Sequence, residues 1–306
     1  LPANDSRVGM AVLVMLVTPL MFSTNLVFGR MVVQEVAPFT LAFIRWAIVA
    51  LALAPFALRA LPEIRRTTNR GWPLIVLLGF LGMWICGAIV YLGLSHTTAT
   101  NGALIYTTSP VIIILIEAVF RGRKVGLREA IGCALAFLGV ATILLRGDPA
   151  ALFALDLNPG DILILAAAFA WAAYGVIYRA PMLSVLPNMA LFALIAAAGT
   201  VLILPVALWE MASGAPLPSS ATAWAGIGGI VVFASLLAYS GFQFGTRVLG
   251  PSLAGIFMYL MPVYGAGLAV ALLGEDFMAY HAAGIALVLG GVALATFPRG
   301  LFGRSA

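Results

Sequence analysis

The sequence predicts an all-α integral membrane protein with ten transmembrane helices, built as a 5+5 inverted-topology repeat. Three observations carry this expectation. First, the 306 residues are 63% hydrophobic and only 9% charged, against about 25% charged in a soluble domain. Second, the chain repeats itself. Displaced by 152 positions, Trp72 falls on Trp224, Gly93 on Gly245, Pro110 on Pro262, Gly122 on Gly274, Gly132 on Gly284 and Gly139 on Gly291. Upstream the displacement is 149, and Arg30 falls on Arg179, Pro38 on Pro187 and Phe43 on Phe192. Such internal repetition defines the architecture before any local reading. Third, one repeated loop changes sign: Arg123-Lys124 stands opposite Glu275-Asp276. Two copies facing opposite sides of a membrane would show that reversal, because Lys and Arg concentrate on the cytoplasmic side.

A membrane-spanning helix needs about 20 apolar residues. By that measure spans are predicted at 8–31, 39–60, 72–93, 99–119, 127–145, 161–179, 187–209, 222–246, 251–273 and 279–298. Residues 8–146 form the first five-helix repeat and 160–298 the second. The first run begins near Val8 and is long, without a small-residue cleavage site after a short apolar core, so it reads as a span and not a signal peptide.

With the N-terminus placed in the cytoplasm, one face receives Arg7, Arg59, Arg65, Arg66, Arg70, Arg121, Arg123, Lys124, Arg128, Arg179, Arg247, Arg299 and Arg304. The other receives Arg30 and Arg146, and Arg45 lies inside the second span. This bias puts both termini in the cytoplasm of a multi-pass protein of the cell inner (plasma) membrane. Five is an odd number, so the second repeat enters from the opposite side. The net charge of +5 is spread between apolar runs and does not imply nucleic acid. Cys86 and Cys133 sit in separate runs without a CxxC or Cys/His cluster, so no metal and no cofactor are expected. Inverted repeats are a plan of secondary transporters, with the substrate near the bilayer midplane where the halves meet.

The stretch Asn101-Gly-Ala-Leu-Ile-Tyr through Pro110 to Gly122, and Leu253-Ala-Gly-Ile-Phe through Pro262 to Gly274-Glu275, resemble the drug/metabolite transporter superfamily and its EamA-type exporters. The resemblance covers essentially the whole chain. The first stretch departs from the family's Gly-Glu ending, carrying Arg123-Lys124 instead. Within the family the chain is most similar to the YddG-type exporters. The resemblance implies export of small organic metabolites, chiefly aromatic and other neutral amino acids, by alternating access.

Polar and aromatic side chains at membrane depth are the site candidates, and they recur at helical spacings of three, four and seven. The sixth span carries Trp171, Tyr174 and Tyr178; the first carries Thr18, Phe22 and Asn25; the eighth carries Ser235, Tyr239 and Gln243; the third carries Trp84 and Tyr91. The repeat sets Phe22 opposite Trp171, Asn25 opposite Tyr174 and Tyr91 opposite Gln243. A central cavity lined by these residues suits an aromatic or apolar cargo held by stacking and a few hydrogen bonds. Asn101 in the fourth span and Tyr259 in the ninth, opposite Thr107, join the candidates. Trp72, Trp209 and Trp224 read instead as interfacial anchors. Pro110 and Pro262 are either hinges or static kinks. Gly241 and Gly245 mark close helix packing.

Arg45 is either a partner for a substrate carboxylate or a group satisfying helix-end carbonyls. Glu117 reads as a structural partner of Arg121, four residues on, or as a proton carrier. No Asp, Glu or Lys occupies the centre of any span, so no obligatory ion coupling is expected. One buried Arg does not suit a polyanionic cargo. An enzyme would want a His/Asp pair or metal cluster, and His96 and His281 stand in no motif. The competing readings are efflux of lipophilic cations, which aromatic faces attract, and a lipid-handling membrane protein. A single chain holds both halves, so no oligomer is required.

Overall fold

The computed structural model describes residues 3–32, 35–67, 71–94, 96–97, 99–153, 158–273 and 276–296. Among these there is no strand, and ten helical segments are long and apolar enough to cross a membrane. In chain order they are α1 (Ala3–Val32), α2 (Pro38–Arg59), α3 (Gly71–Gly93), α4 (Gly102–Arg121), α5 (Leu127–Leu144), α6 (Pro159–Tyr178), α7 (Asn188–Ala212), α8 (Ala221–Leu249), α9 (Pro251–Leu268) and α10 (Ala279–Thr296). All ten lie within a few residues of the predicted spans. Gly274 and Glu275 lie outside the described residues.

The ends follow local chemistry. α6 opens with a capping box, Asn158 Oδ1 accepting from Asp161 N and Asp161 Oδ2 from Asn158 N, which satisfies donors no intrahelical carbonyl can reach. Ser220 accepts from Ala223 N at the start of α8. Gly122 closes α4 at φ +62° and Gly250 separates α8 from α9 at φ +93°, backbone conformations that favour a residue without Cβ. α2 has no side-chain cap of its own. Its first amides are taken by Glu210 of α7, from Phe39 N at 3.2 Å and Thr40 N at 2.8 Å.

Two irregularities recur at matching positions. α3 is π-helical over Phe80–Ile89 and α8 over Ile230–Leu237, and displacement by 152 carries the first onto 232–241, so the two stretches overlap in part. Such turns widen a helix and free backbone groups. α4 breaks between Tyr106 and Ser109, and α9 between Phe257 and Leu260, again at equivalent places. Each break precedes a proline, which lacks the donor for the carbonyl four residues back. The carbonyl freed by Pro110 is that of Tyr106, and the Ser109 hydroxyl takes it. The one freed by Pro262 is that of Met258, and Met261 N takes it at 3.0 Å. Each freed carbonyl is thus taken within its own helix, and at the α9 break the Ser23 hydroxyl of α1 also donates to the Met261 carbonyl at 2.9 Å.

The most extensive helix contacts run between the two halves: α1 with α8, α5 with α10, α2 with α7 and α3 with α6. Equivalent residues exchange partners across these contacts, as in an isologous interface. A Cβ on Gly132 would stand 2.6 Å from the Gly291 carbonyl oxygen, and one on Gly139 would stand 2.6 Å from that of Gly284. Gly132 is the equivalent of Gly284 and Gly139 of Gly291, so α5 and α10 cross antiparallel with the same surface on each. Likewise Gly245 packs on Met15 and Gly93 on Ile164, two versions of one contact. Backbone approach of this kind is how helices associate where lipid removes the hydrophobic drive. Gly241 sits against Thr18 and Val14, which makes the Gly241/Gly245 pair a packing device.

Polar contacts tie the halves at both ends. At one end Glu117 of α4, buried, accepts from Ser252 N at 3.2 Å and the Ser252 hydroxyl at 2.5 Å at the start of α9. Arg121 lies 3.6 Å from Glu117 and donates to the Val176 carbonyl of α6 at 2.8 Å. Glu117 therefore has structural partners on two sides. At the other end Thr97 donates to Asp161 at 2.5 Å, the Thr40 hydroxyl to Glu210 at 2.9 Å and Ser220 to Glu35 at 3.0 Å. Trp72, Trp209 and Trp224 are exposed near the ends of their helices, as interfacial anchors would be.

Candidate functional site

The two halves meet on a cluster of rings. Tyr239 of α8 is its hub, with ring centroids 4.9 Å from Trp46, 5.4 Å from Phe22, 5.5 Å from Trp171, 5.9 Å from Phe192 and 6.2 Å from Tyr174. Trp171 in turn lies 4.6 Å from Phe242 and 5.6 Å from both Phe22 and Tyr174. Five helices supply these side chains. The rings fill the centre by touching one another, so nothing enters between them unless they part. Each pair adds about 0.5–1.5 kcal/mol beyond its buried area, and that cohesion opposes the parting.

The π-helical stretch of α3 makes the room. A Cβ on Gly82 would stand 2.8 Å from the Tyr174 ring, and one on Gly87 would stand 2.7 Å from Trp46 Nε1. The Gly82 carbonyl accepts from the Tyr239 hydroxyl at 3.1 Å. Helical spacing on α8 sets Ser235, Tyr239, Phe242 and Gln243 along one face.

The cluster has a polar group at each end. Toward the Leu249 end of α8, Gln243 is fully buried and donates from Nε2 to the Tyr174 hydroxyl at 2.6 Å. Its Oε1 has no partner among the described residues. Toward the Ala221 end, Arg45 is 5% exposed. It donates from Nε to Ser235 Oγ at 2.6 Å and from Nη2 to the Ala234 carbonyl at 3.0 Å. Its guanidinium also lies 4.7 Å from the Trp46 ring centroid. The described ion pairs join Arg121 and Arg123 to Glu117 and Glu129, and none involves Arg45. The π-helical turn of α8 presents that carbonyl and hydroxyl to the cation.

Of the sequence candidates, Phe22, Trp171, Tyr174, Tyr239 and Gln243 come together. Tyr91 and Asn25 form a separate pair, the Tyr91 hydroxyl donating to Asn25 Oδ1 at 3.3 Å. Trp84 stacks on Phe80 at 5.2 Å and meets Phe39 at 5.7 Å, apart from the hub. Tyr259 is fully buried in the break of α9, its hydroxyl without a partner among the described residues and its ring outside the stacked group. The side chain of Asn101 lies outside the described residues. Tyr178 donates to Asn188 Oδ1 at 2.6 Å and lies under Arg247. Three members escape the sequence reading: Trp46, Phe192 and Phe242. Phe242 falls seven residues after Ser235 on the same face, and Trp46 adjoins the one Arg inside a span. Those two signals were available.

Among the described residues no group of His, Cys, Asp and Glu could hold a metal. The sequence pattern of the EamA-like transporter family matches residues 9–145 and again 158–297. The chain belongs to the EamA-like transporter family. It is 25% identical to the uncharacterized transporter YetK of Bacillus subtilis, over 88% of this chain and 81% of that one. It is 28% identical to a probable terminal-alkyne amino-acid exporter of Streptantibioticus cattleyicolor, over 85% and 83%. One solved crystal structure superimposes with a TM-score of 0.74 at 20% identity, covering 94% of this chain and 97% of that chain, which establishes the shared fold. The protein is a multi-pass membrane transporter of this family.

Proposed function

We propose that the protein exports aromatic and other neutral amino acids by alternating access between two inverted repeats, 8–146 and 160–298. It works as a secondary transporter without ATP, metal or cofactor, and it is not an enzyme. Both termini are cytoplasmic. The observation that carries the reading is the ring cluster at the meeting of the halves, bounded by a buried amide and a buried guanidinium that pairs with no carboxylate among the described residues. Rings suit an aromatic side chain, and an unpaired buried cation suits a carboxylate. The Streptantibioticus relative, named as a probable amino-acid exporter, supports the same class. Parting requires release of the ties at one end while those at the other hold. The breaks of α4 and α9 before Pro110 and Pro262 are the hinges, since the carbonyl that each proline frees is taken within its own helix.

The described buried acids, Glu117, Glu129 and Asp161, all lie near helix ends with partners. The cargo therefore runs down its own gradient. The test is efflux of labelled phenylalanine from proteoliposomes at equal pH on both sides. Flux is expected, and an imposed pH gradient should leave its rate unchanged. Flux only under a gradient overturns the uncoupled mechanism. No flux under either condition overturns the amino-acid reading in favour of lipophilic cations, which ring faces attract but the Arg45 charge opposes.

A further inference from the structure

We infer that the preferred cargo is an aromatic amino acid whose ring carries a hydrogen-bond donor at its far end, tyrosine being the simplest, with its carboxylate on Arg45 and its donor on Gln243 Oε1. The inference rests on the exporter reading and adds the basis of selection within it.

The two anchor groups are each incompletely used. Gln243 is fully buried, and one amide atom is spent on the Tyr174 hydroxyl while Oε1 has no partner among the described residues. A buried carbonyl without a donor is costly, so a cargo that brings one gains what a cargo without one lacks. Arg45 spends two of its five donors on Ser235 and Ala234 and pairs with no carboxylate among the described residues.

α8 fixes the distance between them. Arg45 is held at Ser235, and Gln243 lies eight residues further on, a backbone displacement of at most about 12 Å along the axis at the α-helical rise, with Ser235–Leu237 π-helical. Tyrosine measures about 7 Å from carboxylate carbon to phenolic oxygen, and a hydrogen bond of about 3 Å at each end brings the span to about 13 Å. Tyr239, midway along the same face, and Trp171 beside it supply the stacking surfaces. Phenylalanine fills the same length and leaves Oε1 desolvated and unpaired. The methyl ether of tyrosine offers an acceptor where a donor is wanted.

The test compares efflux of labelled tyrosine, phenylalanine and O-methyltyrosine from proteoliposomes of the full chain, each at the same internal concentration below saturation. Tyrosine is expected to leave about tenfold faster than either analogue, the worth of one buried hydrogen bond. In Gln243→Leu the ratio of tyrosine to phenylalanine flux should fall to near one. The wild-type comparison needs no variant, so a misfolded Gln243→Leu does not spare the inference. Equal wild-type fluxes for all three overturn it while leaving the exporter reading intact. O-methyltyrosine matching tyrosine also overturns it, because the free amide atom would then be a donor. Absence of flux for every compound overturns the exporter reading and this inference with it.

Discussion

Gly291→Leu is expected to destabilise the protein by about 3 kcal/mol or more, because overpacking against atoms that cannot rotate away is the costliest kind. The first atom of the new side chain would stand 2.5 Å from Ala136 N and 2.5 Å from the Gly132 carbonyl oxygen. Both are backbone, so α5 and α10 must separate. The neighbouring position supplies the control. A Cβ on Gly290 has nothing within 4 Å, so Gly290→Leu should be neutral or slightly stabilising, since Leu is a better helix former than Gly. Thermal unfolding of the two variants in detergent checks this. A similar loss for both would mean that the α5–α10 contact is not a backbone crossing. By the exchange of partners described above, Gly139→Leu should behave like Gly291→Leu.

The second large effect separates stability from transport. Arg45→Met keeps an unbranched stem in a buried site and removes a cation that pairs with no carboxylate among the described residues. Replacing a buried charge with an apolar side chain of similar volume is often neutral or stabilising. The unfolding temperature should therefore hold or rise. Amino-acid flux should fall roughly ten- to hundredfold, the value of a charge-assisted hydrogen bond to the cargo. A structural role for Arg45, satisfying the open turn of α8 at Ala234, predicts the reverse: a lower unfolding temperature with flux reduced only in step with folded protein. Measuring both quantities on one preparation decides between the two roles that the sequence left open for this residue.

The fold was legible because the bilayer restricts the alternatives. Only helices satisfy their own backbone in lipid, so apolar run lengths alone placed ten spans. The repeat was legible through glycines and prolines, residues whose backbone roles resist substitution. It pointed to Gly132, Gly139, Gly284 and Gly291 before their contacts were known. The ring cluster, as a candidate site, was legible in part. Trp171, Tyr174, Tyr239 and Gln243 share faces that helical spacing identifies. Trp84 and Tyr91 satisfy the same rule yet pack elsewhere, because α3 is π-helical over Phe80–Ile89. A π turn changes the angle per residue, so a face drawn at 3.6 residues per turn drifts off its target. Nothing in the composition of that stretch announces the change. Phe192 was out of reach for another reason: it is apolar among apolar neighbours, and only packing distinguishes it from a lipid-facing phenylalanine.

The central claim is that cargo passes through the ring cluster between the halves. The measurement that tests it most directly is phenylalanine efflux from proteoliposomes containing the Trp171→Ala, Tyr239→Ala double variant, purified as a folded species by size-exclusion chromatography, beside the wild type. With the hub and the Trp171 ring that meets it edge-on removed, flux should fall roughly a hundredfold, the combined worth of two lost aromatic contacts and their burial. Wild-type flux from a folded double variant would contradict the account and place the path elsewhere in the bundle.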